Sequence, residues 1–242
     1  MLSFLLPVAL AFDATHAPLQ RVLDARLAGG RVDYAGLKAA PADLDAYLKD
    51  VATADPAALS GDDRKAFWIN AYNALTLDLI ADSYPLKSIT DLDGGKVWDT
   101  RKFPVAGKSM TLNDIEQRTL RPLGDPRVHA ALNCASIGCP ALAAKVYTGA
   151  GLSGQLDAAS KRWVASARLE GAALSVSQIF DWYGDDFVAR YGSSRFDIPG
   201  LDGKAEAAAN FVAAYATDKA AALQAGGYTV SYAPYDWGLN KR

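Results

Sequence analysis

One short stretch of this sequence brings together the side-chain types that nucleophilic catalysis uses. Residues 125–140 contain both cysteines of the chain, Cys134 and Cys139, together with His129, one of its two histidines. A thiolate is a strong nucleophile, and a nearby imidazole is a common base for it. We therefore expect a thiol-centred site, with His129 as the base and Cys134 or Cys139 as the nucleophile.

A helix that begins directly after Cys139 would make the Cys139 thiol more acidic. Pro140 suits the first position of a helix, so residues 141–146 are predicted to be helical, with Cys139 at the N-cap. The positive end of the helix dipole and its free amide groups would then lower the pKa of the Cys139 thiol. The same amides could hold an oxyanion.

The stretch that carries the histidine limits how His129 and the thiols can meet. Residues 128–132 have the composition of a buried strand. Residues five apart on a strand point to opposite faces, so His129 meets Cys134 only if the chain turns or bulges near Asn133. Two other interpretations stay open: both thiols are small core residues, or Cys134 and Cys139 form a structural or redox disulfide.

The same three side chains are also permissible zinc ligands. The gaps between His129, Cys134 and Cys139 are four residues each, which is looser than the usual zinc knuckle. A structural zinc site needs a fourth ligand, and His16 has no partner pattern. We therefore expect neither a metal nor another cofactor.

A catalytic histidine also needs a carboxylate or an amide to orient its second ring nitrogen. The candidates lie beside aromatic residues that could bury them: Asp181, Asp236, Asn70 and Asn73. Asn70 and Asn73 share one face of a helix, and their alternative role is to clamp the backbone of a neighbouring loop.

The elements that must position these residues are mostly helical. Apolar spacing predicts helices over residues 12–27, 41–51, 63–84, 152–164, 178–191 and 205–215. A hairpin or irregular arm is predicted in 94–110, a capping box at 111–114, and strands at 174–176 and 228–232. The predicted fold class is α+β, a mostly helical single domain over residues 12–242 with a small β-sheet.

Residues 1–11 form an apolar run that ends in Ala9-x-Ala11, the small-residue pattern of a signal-peptidase site. We predict a removable signal peptide and a periplasmic or secreted protein. The alternative is a core-facing helix. The run is too short to cross a bilayer, which takes about 20 apolar residues, so no integral membrane segment is expected after its removal.

The charge balance argues against nucleic acid as a partner. The chain has 25 Lys and Arg against 27 Asp and Glu, a net charge of -2, and its basic residues are dispersed. Three arginines precede the thiols and could receive an anionic group, although solvated surface arginines are more common: Arg118, Arg121 and Arg127. The expected partner is a small-molecule or peptide substrate of unknown identity.

Several motifs resemble the signatures of the domain of unknown function 547 (DUF547) family. They are AFWINAYNAL at 66–75, TLNDIE at 111–116, DPRVH at 125–129, NCASIGCP at 133–140 and YDWGLN at 235–240. The resemblance covers nearly all of the chain after residue 11. Ala130 and Ala141 depart from the residues common in the family, but neither change removes a candidate group.

The resemblance implies no established reaction or substrate. Bacterial members are often exported, and plant relatives join the domain to a coiled coil, which keeps a protein partner open. From the residues we expect a thiol-dependent Cys-His hydrolase or transferase acting on an amide, ester or thioester. The alternative is a non-catalytic binding or interaction domain with a structural or redox disulfide between Cys134 and Cys139.

Overall fold

Helices account for most of the backbone in the computed structural model, which describes residues 12–192 and 197–242. The α-helices of the described residues are α1 (Ala17–Arg26), α2 (Tyr34–Ala39), α3 (Ala42–Thr53), α4 (Gly61–Ser83), α5 (Val97–Thr100), α6 (Leu112–Ile115), α7 (Leu152–Val164), α8 (Ile179–Trp182), α9 (Gly184–Tyr191), α10 (Gly203–Tyr215) and α11 (Ala220–Gln224). The signal peptide predicted for residues 1–11 lies outside the described residues.

The strands form three small sheets. They are β1 (Leu27–Ala28), β2 (Arg31–Val32), β3 (Phe103–Val105), β4 (Lys108–Met110), β5 (Arg168–Glu170), β6 (Ala173–Ser177) and β7 (Thr229–Ala233). Two sheets are antiparallel pairs, β1 with β2 and β3 with β4; in the third, β6 pairs antiparallel with β5 and parallel with β7. The predicted class, a mostly helical α+β domain with a small sheet, is confirmed. None of the helices in the described ranges is both long and apolar enough to cross a membrane.

Helix α4 is the centre of the half of the molecule that carries the thiols. Ser60 caps its start by accepting a hydrogen bond from Asp63 N at 3.1 Å, and Pro85 follows soon after its end. Apolar residues surround the helix on all sides, as expected for a helix buried on every face. Most of its residues between Ala66 and Ala81 are buried.

The buried side chains divide into two hydrophobic clusters. The first surrounds α4 and includes Val128 and Leu132, whereas the second surrounds α10 and includes Ala130 and Phe187. Residues 128–132 therefore run along the boundary between the clusters. Side chains from both halves can meet there.

The strand predicted for residues 128–132 was wrong, because a 3-10 helix, Pro126–Ala130, occupies this stretch. Asp125 accepts a hydrogen bond from Arg127 N at 3.2 Å, and Pro126 fixes the backbone at the first helical position. Both residues favour a helical turn. Because this stretch is not extended, the rule that strand residues five apart point to opposite faces does not apply to His129 and Cys134.

The helix predicted for residues 141–146 was also wrong, since this segment is irregular. Side chains from other elements take the backbone groups that a helix would use. Gln155 Nε2 donates to Val146 O at 2.7 Å, and Gln20 Oε1 accepts from Val146 N at 3.0 Å. Cys139 therefore has no helix dipole to lower the pKa of its thiol.

Candidate functional site

The two thiols face each other across a tight loop. Cys134 Sγ and Cys139 Sγ lie 2.8 Å apart, and both cysteines are free. A disulfide bond is about 2.05 Å long. Cys134 N also donates to Cys139 Sγ at 3.0 Å. The five-residue separation thus brings both sulfurs to one point, and both side chains are partly exposed.

Three side chains converge on the sulfur of Cys134. Besides Cys139, these are Ser136, whose Oγ lies 3.2 Å from the sulfur, and Tyr235, whose hydroxyl lies 2.9 Å away. Hydrogen bonding with Cys139, and then with Ser136 and Tyr235, lowers the pKa of Cys134 against the opposing effect of burial. Cys134 is therefore the more acidic thiol.

The pKa values of two partners of Cys134 are shifted in the opposite direction. Burial, and then the hydrogen bond to Cys134, raise the pKa of Cys139. Burial and the two neighbouring thiols likewise raise the pKa of Tyr235. Both groups keep their protons and can donate. Ser136 Oγ and Tyr235 OH lie 2.7 Å apart, so one hydroxyl can also relay its proton to Cys134 through the other.

Residues 235–242, here called the closing segment, hold the thiol loop in place. Ile137 N donates to Gly238 O and Gly138 N donates to Asp236 O, both at 2.8 Å. A Cβ atom on Gly138 would lie 2.8 Å from Asp236 N, so only glycine allows this approach. The segment places the Tyr235 hydroxyl on the thiol.

His129 is oriented by a carboxylate from the other half of the molecule. His129 Nε2 lies 2.8 Å from Asp186 Oδ2 on α9, and Arg121 binds the same carboxylate through two nitrogens at 2.6 and 2.9 Å. Burial opposes ionisation of Asp186, but the hydrogen bonds from His129 and Arg121 outweigh it and lower its pKa to about 2.

The ionised carboxylate fixes the tautomer of the histidine. A carboxylate only accepts hydrogen bonds, so His129 Nε2 must carry the proton. In the neutral ring Nδ1 is then unprotonated and can act as a base. The ring is buried against Tyr183, with centroids 4.3 Å apart, and Phe187, at 5.6 Å, which restricts its rotation.

A cavity of about 260 Å³ connects the histidine and the thiols, because His129, Cys134 and Cys139 all line it. His129 forms no direct hydrogen bond to either sulfur among the described residues, so the acidity of Cys134 comes from its own donors. Glu116 and a set of aromatic side chains complete the wall. The cavity is large enough for a small acyl group and part of its leaving group.

The asparagines predicted as orienting groups both hold backbone. Asn70 pairs with both the carbonyl and the amide of Tyr147, at 2.7 and 3.0 Å. Asn73 accepts from Asn133 N at 2.9 Å and donates to Ala131 O at 3.0 Å. This is the clamping role given as their alternative. Asn73 supports the site indirectly, since it fixes the chain between His129 and Cys134.

Among the described residues, neither of the two predicted aspartates hydrogen-bonds to His129. Asp181 accepts from its neighbour Gln178 at 2.8 Å. Asp236 is exposed and accepts from Gly238 N at 2.8 Å. Of the arginines that precede the thiols, Arg121 binds Asp186, while Arg127 pairs with Asp125 at 2.7 Å.

Sequence reasoning did not single out Asp186, Tyr235 or Glu116. The available signal for Tyr235 was the pair of aromatic residues that flank Asp236 in the sequence. Tyr235 and Trp237 both line the cavity, whereas Asp236 between them does not. No group of three or more His, Cys, Asp or Glu side chains within the described residues is arranged to hold a metal ion.

Comparison with known proteins identifies one family. Residues 56–164 match the profile of the family described as "Protein of unknown function, DUF547". No curated protein and no solved structure matches the chain. The matched range includes the thiol loop, His129 and Glu116, but Asp186 and Tyr235 lie beyond it.

Proposed function

From the premise that residues 56–164 belong to the DUF547 family, we propose that this protein is a thiol-dependent hydrolase or transferase acting on an amide, ester or thioester. Cys134 is the nucleophile, His129 is the acid and base, and Asp186 orients His129. The observation that carries the proposal is the convergence of three hydrogen-bonding side chains on Cys134 Sγ beside a cavity that the oriented histidine also lines.

The thiol needs no base to become nucleophilic. Hydrogen bonds that favour the charged form stabilise a thiolate, and each bond to a charged group contributes about 1.5–3 kcal/mol. Cys139, Ser136 and Tyr235 supply these bonds. His129 is then free to protonate the leaving group and to deprotonate water. It therefore does not need to contact the sulfur.

The reaction proceeds in two balanced steps. The Cys134 thiolate attacks the carbonyl carbon, a C–S bond forms, and the bond to the leaving group breaks as protonated His129 gives up its Nδ1 proton. In the second step neutral His129 Nδ1 takes a proton from water or another acceptor, which attacks the thioester. The C–S bond then breaks and the thiolate is regenerated.

A chromogenic ester tests this proposal without knowledge of the natural substrate. With p-nitrophenyl acetate we expect nitrophenol release and one acetyl group on Cys134, detected by intact mass. C134S should abolish the adduct, whereas C139S should retain it. Acetylation of neither cysteine above the rate of a free thiol would contradict the proposal.

The role of Asp186 is tested by an isosteric change. D186N places a side chain that can donate as well as accept beside His129, so the Nδ1 base is no longer enforced. Removing general acid–base assistance should slow deacetylation by about 10²–10⁴-fold. The matched control is D185N, because Asp185 is the exposed neighbour on the same helix and should leave the rate unchanged.

A second candidate is supported by the 2.8 Å separation of the sulfurs and the opposite directions of their pKa shifts. In thiol–disulfide exchange, the Cys134 thiolate attacks a substrate disulfide and releases one thiol. Cys139 then loses its proton, attacks the mixed disulfide and releases the second thiol, leaving Cys134 and Cys139 oxidised. Rapid, reversible oxidation by oxidised glutathione without acetyl transfer would favour this reaction over the first.

Export to the periplasm or the medium also belongs to the proposal, and it rests on the pattern of residues 1–11. An oxidising compartment would favour the disulfide of the cysteine pair. Comparing the mass and location of the expressed full-length chain with those of an A11→Asp variant, which spoils the cleavage pattern, tests whether the run is removed.

A further inference from the structure

The cavity beside the thiols has an acidic wall. Two carboxylate residues line it, Glu116 and Asp99, and the lining contains no Lys or Arg among the described residues. His129 also lines it, but its Nε2–H already donates a hydrogen bond to Asp186. While His129 is neutral, the described lining therefore has negative groups and no cationic side chain.

Glu116 is the inner of these carboxylates. The residue is 7 % exposed, and in the described part of the chain it forms no ion pair; Arg121, the nearby cation that interacts with it electrostatically, is bound to Asp186 instead. Burial, followed by the neighbouring Glu116, raises the pKa of Tyr183, which also hydrogen-bonds to Glu116. A carboxylate removed from water without a cationic partner is costly, and a cationic ligand would offset that cost.

Six aromatic residues surround these carboxylates: Tyr72, Trp98, Trp182, Tyr183, Tyr235 and Trp237. Trp237 lies 4.5 Å from Tyr235, 5.8 Å from Trp182 and 5.9 Å from Trp98 between ring centroids, so these four form a continuous aromatic wall. Trp182 and Trp237 are 46 % and 37 % exposed. Ring faces attract cations, and cages of such rings bind ammonium groups.

A second cavity that borders the thiol loop has a different character. It is lined by Arg162 and Arg168, and Cys139 lines both cavities. Cys134 lines only the acidic one. The acidic environment is therefore specific to the side from which Cys134 is approached.

We propose that the cavity binds a cationic group, an ammonium or a guanidinium, carried by the substrate close to the bond that Cys134 attacks. Glu116 pairs with the cation and the aromatic wall covers its apolar surface. An anionic ligand would meet Glu116 as a like charge, and a purely apolar ligand would leave this carboxylate without a cation in direct contact. The link to the substrate depends on the proposed function, whereas cation binding at the cavity does not.

The test uses two thiol reagents that differ in charge. Both are ethyl methanethiosulfonates, one ending in trimethylammonium and the other in sulfonate. The thiolate attacks the reagent, a mixed disulfide forms and methanesulfinate leaves. In a C139S protein only Cys134 can react. The ratio of the two rate constants cancels the intrinsic reactivity of Cys134. Dividing it by the same ratio for a small neutral thiol cancels the difference in reactivity between the two reagents.

We expect this normalised ratio to exceed ten in C139S and to fall about tenfold when E116Q is added, since a cation loses its attraction and an anion loses its repulsion. The matched control is E170Q, because Glu170 is exposed on β5, and it should leave the ratio unchanged. Choline should protect Cys134 from the neutral reagent iodoacetamide more strongly than its uncharged isostere 3,3-dimethylbutan-1-ol.

A normalised ratio near one, or equal protection by choline and its isostere, would overturn the inference. So would equal ratios in the E116Q and E170Q proteins. Failure of the proposed acyl transfer is a separate result, because it appears as absent acetylation while the charge ratio stays high. A ratio near one with normal acetylation overturns the cation site and leaves the acyl transfer in place.

Discussion

At the scale of single residues, the acidity of Cys134 depends on a hydroxyl contributed from far along the chain. Y235F removes the hydroxyl that lies 2.9 Å from the sulfur and keeps the ring in the aromatic wall. We expect the pKa of Cys134 to rise by about one unit, because Ser136 can still donate directly. The pH dependence of iodoacetamide alkylation measures the change.

The matched control for this variant is Y232F, since Tyr232 lies on β7 outside the cavity lining. It should leave the alkylation profile where it is. If Y235F lowers the apparent pKa or has no effect, Tyr235 accepts a hydrogen bond from Cys134 and does not stabilise the thiolate. The donor set described for Cys134 would then be wrong.

Residue types alone were sufficient to locate the thiols and His129, because no other stretch concentrates such groups. They were not sufficient to choose the carboxylate. Asp181, Asp185 and Asp186 all lie within a few residues, and only the conformation of the chain decides which one reaches His129. The same limit applies to Glu116, whose burial depends on contacts that its own segment does not encode.

At the scale of elements, the stretch that carries both Asp181 and Asp186 is divided into two helices. The sequence predicted one helix over residues 178–191, whereas α8 ends at Trp182 and α9 begins at Gly184. Tyr183 between them has φ -112° and ψ 22°, so the helical phase of α8 does not continue into α9. Asp186 on α9, and not Asp181 on α8, therefore reaches His129.

Helix α4 itself carries a destabilising charge. Burial, and then the nearby Asp82 and Asp45, raise the pKa of Asp78 to about 6. Ionised Asp78 therefore lowers the stability of the folded state at neutral pH. This destabilisation disappears as the pH falls from about 6 towards 3.8, the ordinary pKa of an aspartate. D78N should raise the free energy of unfolding at pH 7 by about 1–2 kcal/mol, after allowance for partial exposure.

Urea denaturation at several pH values checks this prediction. The gain of D78N should shrink below pH 6 and vanish near pH 3.8. D62N, in the first turn of the same helix, should lower stability by about 0.3–1 kcal/mol, since it removes a favourable interaction with the helix dipole. A pH-independent gain for D78N would show that its effect does not come from ionisation.

At the scale of the whole molecule, a chain of buried polar groups joins three distant segments. Tyr34 OH donates to Asn240 Oδ1 at 2.7 Å, and Asn240 Nδ2 donates to Asn133 Oδ1 at 3.1 Å. N240A should lower the free energy of unfolding by about 2–4 kcal/mol, because it leaves the buried Tyr34 hydroxyl without an acceptor. Thermal or urea unfolding measures the loss.

A double-mutant cycle supplies the control. In a Y34F background the hydroxyl is already absent, so N240A should cost about 0.5–3 kcal/mol less than it does alone. Equal costs in the two backgrounds would mean that the Tyr34–Asn240 bond contributes nothing to stability. The prediction would then fail even if both single variants were destabilised.

The position of the closing segment late in the sequence means that Tyr235 is synthesised after the thiol loop that it contacts. Cys134 and Tyr235 are 101 residues apart, and a ribosome adds about 5–20 residues each second. The loop with both thiols is therefore made on the order of ten seconds before the hydroxyl that completes the donor set. During that interval Cys134 lacks one of its three donors. A newly made chain therefore carries a less acidic Cys134 than the folded protein, and its full reactivity develops only with the last contact.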